Sequence, residues 1–273
     1  MDKKTLRKLQ LVQLEIAKEI KRVCKEYNIR YFLTAGTLLG AVRHKGFIPW
    51  DDDLDIGMLQ EDYDKFCQIA PNALSKEYKL VTWKTDSLYA LPFGKVYKKG
   101  TIFQESKSYQ DNKNGIYVDI IVYNNAPVNS ITRYYLINKL RILERLILMK
   151  NHYRPWMEND KINWRKRFIY LPIQFLSCFF TRKYLVNRHI SLTIKQAKTG
   201  FVYGPASLKK VPIFQRKNLE KTSEYPFEDT KFAIFDKAQD YLQVVYGDYM
   251  QLPPEKDRQN KHQVVKLDFG KEK

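Results

Sequence analysis

The spacing of apolar and polar residues divides the chain into a front that alternates between helix and strand and a middle that is helical throughout. Over residues 5–27, Leu6, Leu9, Val12, Ile16, Ile20, Val23 and Tyr27 recur at steps of three and four among lysines, arginines and glutamates. That period predicts an amphipathic helix with one buried stripe. Asn28 stops it, and residues 29–33 read as a buried strand. In Thr-Ala-Gly-Thr, residues 34–37, Gly36 lets backbone approach a ligand closely and Thr37 can cap a helix over 38–43. A Pro49-Trp50 turn leads into an apolar strand over 51–58. Residues 61–70 read as a helix ending before Pro71, 78–83 as a strand, and 91–104 as a hairpin of FGKVY and TIFQ about a Lys-Lys-Gly turn. The run GIYVDIIVY, residues 115–123, is nearly all apolar and rich in β-branched side chains, which predicts a central strand.

Helical patterns then cover 132–149, 163–180 and 182–198, all basic and rich in Tyr, Leu and Ile. The stretch FIYLPIQFLSCFF, residues 168–180, is too short to span a bilayer. Its first reading is a buried helix hairpin kinked at Pro172. Its second, given Arg165, Lys166 and Arg167 on one side and Arg182 and Lys183 on the other, is a patch resting on an anionic membrane face. A last helix over 237–246 ends at Gly247, and prolines keep the tail beyond it irregular. The chain thus reads as a front over 1–125, a basic helical region over 126–200 and a C-terminal segment over 201–273 that packs back on the front.

Charge changes the picture. A formal net charge of +18 points to a polyanionic partner: nucleic acid, an anionic membrane face or a phosphate-rich substrate. Three scattered cysteines, Cys24, Cys67 and Cys178, fit a reducing compartment and give neither a disulfide framework nor a zinc cluster. The N-terminal residues are charged, with no signal-peptide apolar region after them, so the expected location is the cytoplasm. At 44% hydrophobic residues the chain can fill a sizeable core.

Against that basic background, Asp51, Asp52, Asp53 and Asp55 fall within five positions. Neighbouring carboxylates repel and weaken a strand, so a cation between them is the natural explanation, with a divalent metal first. Residues two apart share a strand face, so Asp53 and Asp55 point the same way, about 6.5 Å apart along the backbone. Asp51 and Asp52 suit supporting or capping positions. Asp119 sits inside the most apolar strand, where an unpaired carboxylate costs several kcal/mol or so. Either an arginine or lysine pairs with it or it faces the metal, and its coincidence with Asp53 and Asp55 favours the metal. Arg43, at a helix end, is the best phosphate contact because its fork matches oxyanions; Lys95 faces either a phosphate or solvent. Three carboxylates beside a helix start carrying Gly36 and Thr37 suit metal-assisted phosphoryl chemistry. A binding groove lined with acids would repel nucleic acid, which ranks that partner low.

The string AGTLLGAVRHKGFIPWDDDLDIGM closely resembles the signature of the LicD family, whose relatives include the fukutin-type proteins. GIYVDIIVYNNAP resembles that family's third-carboxylate strand, and FEDTKFAIF with YLQVVYGDYMQLPPEKDRQNKH resembles its C-terminal signature. The resemblance implies an α+β fold, a mixed sheet of the nucleotidyltransferase type with flanking helices and a helical insertion. It implies transfer of a phospho-alcohol, phosphocholine from CDP-choline first, to a sugar hydroxyl of a teichoic acid or lipopolysaccharide precursor, with release of CMP. Glycerol or ribitol phosphate from a CDP donor, and nucleotidyl transfer from a triphosphate, remain alternatives. By position, Asp53, Asp55 and Asp119 would hold magnesium, or manganese in its place. Gly36 and Thr37 would lie against the donor diphosphate. The tail around Glu228, Asp229, Arg258 and His262 would close over the site. The acceptor would be a glycan or lipid-linked glycan, met at the inner face of the membrane.

Overall fold

The computed structural model describes residues 1–106, 115–158, 161–196, 198–205, 211–260 and 262–270. The front comprises α1 (Lys3–Glu26), β1 (Phe32–Leu33), α2 (Ala35–His44), β2 (Asp55–Leu59), α3 (Gln60–Ala73), β3 (Tyr78–Val81), β4 (Gly94–Lys98), β5 (Ile102–Glu105) and β6 (Tyr117–Asn125). The helical middle holds α4 (Ser130–Lys150), the short strands β7 (Met157–Glu158) and β8 (Lys161–Ile162), α5 (Trp164–Cys178) and α6 (Arg182–Ile194). The remainder is β9 (Phe201–Tyr203), β10 (Ile213–Gln215), α7 (Lys217–Glu220), β11 (Thr222–Phe227), β12 (Thr230–Phe235), α8 (Ala238–Tyr246), a single 3-10 turn at Glu255–Asp257 and β13 (Val264–Asp268).

One mixed sheet organises these parts, in the order β1-β2-β6-β4-β3, with β9 and β10 added through β6. β2 runs parallel to β6, while the β1–β2, β6–β4, β4–β3 and β6–β9 pairs are antiparallel. As its composition predicts, β6 is central, and eight of its nine residues are buried. The architecture is therefore a mixed α+β fold with helices around a mixed sheet. Its C-terminal elements return to the front: β9 pairs with β6 and β13 with β5.

α1 forms where the period places it. The Asp2 carboxylate accepts from the Thr5 backbone N–H at 2.9 Å and caps the first turn. Leu9, Ile16, Ile20 and Val23 of its stripe are fully buried, each contributing about 1.5–3 kcal/mol through burial, while Tyr27 at the C-cap is exposed.

Several local expectations change. The strand over 29–33 shrinks to two residues. Thr34, not Thr37, occupies the N-cap position of α2, and Gly36 and Thr37 lie within its first turn. β2 starts at Asp55, four residues later than the apolar pattern suggests. The preceding backbone is held by α1 instead: Gln10 Nε2 donates to Asp51 O at 2.9 Å and Gln13 Nε2 to Asp52 O at 2.9 Å. α3 continues through Pro71 to Ala73. The hairpin over 91–104 does not form, because both edges of β4 are taken by β3 and β6. Gly100, with φ 78°, turns the chain out of the sheet, and β5 pairs with β13 near the C-terminus.

In the helical middle the three expected helices are present, although the third stops at Ile194 and Ala197 lies outside the described residues. α4 and α6 bury Leu143, Leu146, Ile147, Leu185 and Val186 together, and Trp83 from the front packs edge-on against His189 at 4.8 Å. The His189 ring bonds the buried Glu144 at 3.1 Å. α5 is not the buried helix that its sequence first suggests: Ser177 is its one buried residue. It leans on its neighbours through a narrow side, where Arg167 lies over the Trp156 ring at 4.2 Å and Lys150 reaches Ser177 O.

Candidate active site

The aspartate run crosses from the end of a turn into β2, where α1, α2, β6 and the C-terminal tail converge. Asp51 and Asp52 are almost wholly buried, and carboxylate oxygens of Asp51, Asp52 and Asp53 lie within 4.8 Å of one another. Part of that repulsion is offset by the tail. His262 Nδ1 is 3.0 Å from Asp52 Oδ1, and its backbone N–H donates to Asp52 Oδ2. Burial works against the charged imidazole, but the Asp52 hydrogen bond and the charges of Glu105 and Asp53 outweigh it and lift the ring's pKa to about 9. Asp52 and His262 thus form an ion pair that straps the tail to the run. Asp53 Oδ1 is buried without a hydrogen-bond partner among the described residues.

Asp55 and Asp119 are register partners on the parallel strands β2 and β6, so their side chains leave the same face of the sheet side by side. The Asp55 backbone N–H donates to Thr37 Oγ1 at 2.8 Å, which fixes the start of β2 against α2. Thr37 therefore positions an aspartate rather than capping the helix. Lys95, on β4, is the register partner of Asp119 on its other side. Its Nζ is 2.9 Å from Asp119 Oδ1 and 3.2 Å from the centre of the Tyr117 ring. The lysine is buried and pairs with Asp119, not solvent. Burial raises the Asp119 pKa, while Lys95 and His262 pull it down and the Asp53 charge pushes it up. Among the described residues the carboxylates gathered within 4.8 Å are those of Asp51, Asp52 and Asp53, and the expected Asp53–Asp55–Asp119 trio is not gathered to that distance.

An open cavity of about 590 Å³ adjoins the run at Asp51. Gly36, Arg43, Trp50, Tyr246 and Arg258 line it. Arg43 donates to Tyr249 O at 2.8 Å, which ties the tail to α2. Burial, together with the charge of Arg258, lowers the Arg43 pKa, so two guanidinium groups face one space. Arg258 is braced by Pro253 O at 2.8 Å and lies 5.5 Å from the Trp50 ring centre. Gly36, Arg43 and Arg258 thus share the cavity, while Thr37, Lys95 and His262 serve the aspartates directly. Glu228 and Asp229 do neither. They form the turn of the β11–β12 hairpin, where Glu228 pairs with Arg7 at 2.5 Å and accepts from the Phe47 N–H, and Asp229 pairs with Lys18 at 2.7 Å. The expectation that they close over the site is corrected: they clip the hairpin to α1.

A family model described as LicD/FKTN/FKRP, nucleotidyltransferase domain, matches residues 28–139. The lipopolysaccharide cholinephosphotransferase LicD of Haemophilus influenzae is 30% identical over 265 residues, covering 96% of this chain and 97% of the relative. The chain belongs to the LicD family. Shorter likenesses include an uncharacterized Rickettsia typhi protein, 42% identical over 28% of this chain and 24% of its own. Another is human ribitol 5-phosphate transferase FKRP, 46% identical over 48 residues, which are 18% of this chain and 10% of that protein.

The LicD-matching segment contains the aspartate run, Lys95 and Asp119, whereas Arg258 and His262 reach the site from outside it. Sequence reasoning missed the parts that hold the run in place. Gln10 and Gln13 are buried polar residues beside the apolar stripe of α1, at positions where the pattern predicts solvent. Thr34, Tyr123 and Tyr241 join their hydroxyls in a buried group, with 2.5 Å between Thr34 and Tyr123 and 3.1 Å between the two tyrosines. That group links α2, β6 and α8 behind the aspartates. Only the amide count of α1 carried a signal for the glutamines; the tyrosine pairing spans 118 positions and left none. The site suits a hard divalent cation. Its donors are all oxygens, and the Asp53 Oδ1 atom is a desolvated acceptor with no hydrogen bond among the described residues.

Proposed function

We propose that this protein is a metal-dependent phosphotransferase that moves a phospho-alcohol from a CDP-activated donor to a sugar hydroxyl. The first choice is phosphocholine from CDP-choline, and the acceptor class is a teichoic acid or lipopolysaccharide precursor. The observation that carries this reading is the buried Asp53 oxygen that lacks a hydrogen bond among the described residues, within the Asp51–Asp53 carboxylate group, with Asp55 and Asp119 in register on the strands that follow and a cavity lined by two arginines at Asp51. The relative's name, a cholinephosphotransferase, supports the same reading.

Asp53, Asp55 and Asp119 would hold magnesium, or manganese, which when bound supplies charge neutralisation at the donor phosphates. Arg43 and Arg258 suit the diphosphate, since their mutual repulsion falls when an anion enters. The same cavity is lined by Trp50, Tyr246 and Tyr249, aromatic residues of the kind that suit a quaternary ammonium, and by Asp51 and Asp248. In the transfer step the acceptor oxygen forms a bond to the phosphorus that bears the alcohol. The bond from that phosphorus to the bridging oxygen breaks, and CMP leaves with the electron pair. Asp119 would assist removal of the acceptor proton. Lys95 holds that carboxylate in place.

The likeness to the ribitol 5-phosphate transferase favours ribitol phosphate as the second reading. CMP release from CDP-choline, CDP-ribitol and CDP-glycerol, with and without magnesium, tests both. Magnesium-dependent CMP release, fastest with CDP-choline, is expected. Release of pyrophosphate from CTP or ATP, with no CMP from any CDP-alcohol, would make the protein a nucleotidyltransferase instead.

A further inference from the structure

Helix α5 presents its apolar side away from the protein. Trp164, Phe168, Phe175 and Phe179 follow one another at steps of four, seven and four, which places them along one helix face, and each is 64–69% exposed. Ile169, Leu171 and Leu176 widen the same exposed side. Scattered exposed apolar residues are ordinary, but a continuous aromatic row is not, and it marks a surface that something covers.

The charge around the row indicates what covers it. Residues 130–199 hold fifteen lysines and arginines against three acidic residues, a net of +12 within the +18 of the whole chain. Arg165 stands exposed in the first turn of α5 and Lys183 just past its end. Arg182 is turned inward onto the carbonyls of Asp86 and Tyr89, and Lys166 pairs with Glu158, so Arg165 and Lys183 are the flanking cations that remain for a partner. At 1.5 Å per residue, fifteen residues make a helix of about 22 Å, shorter than the roughly 30 Å of a bilayer core. Among the described residues no helix is long and apolar enough to cross a membrane. A second copy of the chain is a poor cover, because a symmetric contact would press two strongly cationic regions together.

We propose that α5 docks this protein on an anionic bilayer, lying in the plane of the surface. Trp164, Phe168, Phe175 and Phe179 enter the boundary between headgroups and acyl chains, and Arg165 and Lys183 sit against lipid phosphates. The docking is independent of which alcohol is transferred, and its test uses neither donor nor acceptor. The full chain is sedimented with vesicles of phosphatidylcholine alone and of phosphatidylcholine mixed with phosphatidylglycerol. It should bind the mixed vesicles, bind more weakly as salt rises, and leave the neutral ones largely unbound. The variant Phe168→Ser/Phe175→Ser/Phe179→Ser and the variant Arg165→Glu/Lys183→Glu should each bind at least about tenfold more weakly, with unchanged melting temperatures. The proposal is overturned if the wild-type chain ignores the mixed vesicles, or if both variants bind as the wild type does. It is equally overturned if the chain sediments as a dimer that the phenylalanine variant dissociates while vesicles go unbound.

Discussion

Strand β6 and helix α5 each carry a long apolar run, yet eight of nine residues are buried in the strand and one of fifteen in the helix. The difference lies in what stands on either side. β6 is flanked by β2 and β4, so its backbone groups, its apolar residues and even Asp119 all find partners inside the protein. α5 satisfies its own backbone and needs a neighbour only along a narrow strip, so the rest of its apolar surface remains outward. Hydrophobicity alone therefore does not specify burial. A strand imports its neighbours through hydrogen bonds, whereas a helix can be left half-covered.

The most severe test of that contrast is Lys95→Met. It strands the buried Asp119 carboxylate, and urea unfolding should show a loss of about 3–5 kcal/mol. A loss below about 1 kcal/mol would mean that the pair contributes little to the sheet. Next in size is a matched pair of truncations. Ile120→Ala in β6 should cost about 2–5 kcal/mol, while Phe175→Ala in α5 should stay within about 0.5 kcal/mol. Equal losses would break the comparison. Gln13→Leu is smaller: it leaves the Asp52 carbonyl without its donor, for about 1–3 kcal/mol, and loosens the aspartate run enough to lower transfer activity as well. An unchanged rate would show that α1 supports the fold without setting the site.

The finest test is a pH dependence. Hydrogen bonds from Arg22 hold the Glu19 carboxyl at about 2, below its ordinary 4.5, with burial opposing and Ser75 assisting. A depressed carboxyl lends stability that is complete above pH 4.5 and lost as pH falls through 2. Acid unfolding of Glu19→Gln should therefore show a shallower decline than the wild type between those two values. Parallel curves would remove Glu19 as a source of acid sensitivity.

The elements that pack by a regular period were legible before any coordinates. The stripe of α1, the central strand and the three middle helices all follow from spacing. The acidic run was legible as chemistry, because four adjacent carboxylates in a cationic chain are costly without a purpose. What escaped was long-range or context-dependent. Nothing in TIFQ indicates that it pairs with a strand some 160 positions later. Glu228 reads as a site residue within a signature string, yet its partner is Arg7 on the first helix. The exposure of α5 escaped for the reason the comparison gives: a helix apolar on most of its surface reads alike in a core and on a membrane.

The proposal that most needs testing is that the aspartate run binds a divalent cation. Manganese titration of the wild-type protein and of Asp53→Asn, followed by calorimetry and by the metal's spin resonance, tests it directly. The account predicts saturable binding to the wild type with a raised melting temperature, both lost in a folded Asp53→Asn. A wild-type chain that binds no manganese, or an Asp53→Asn chain that binds it equally well, would contradict it.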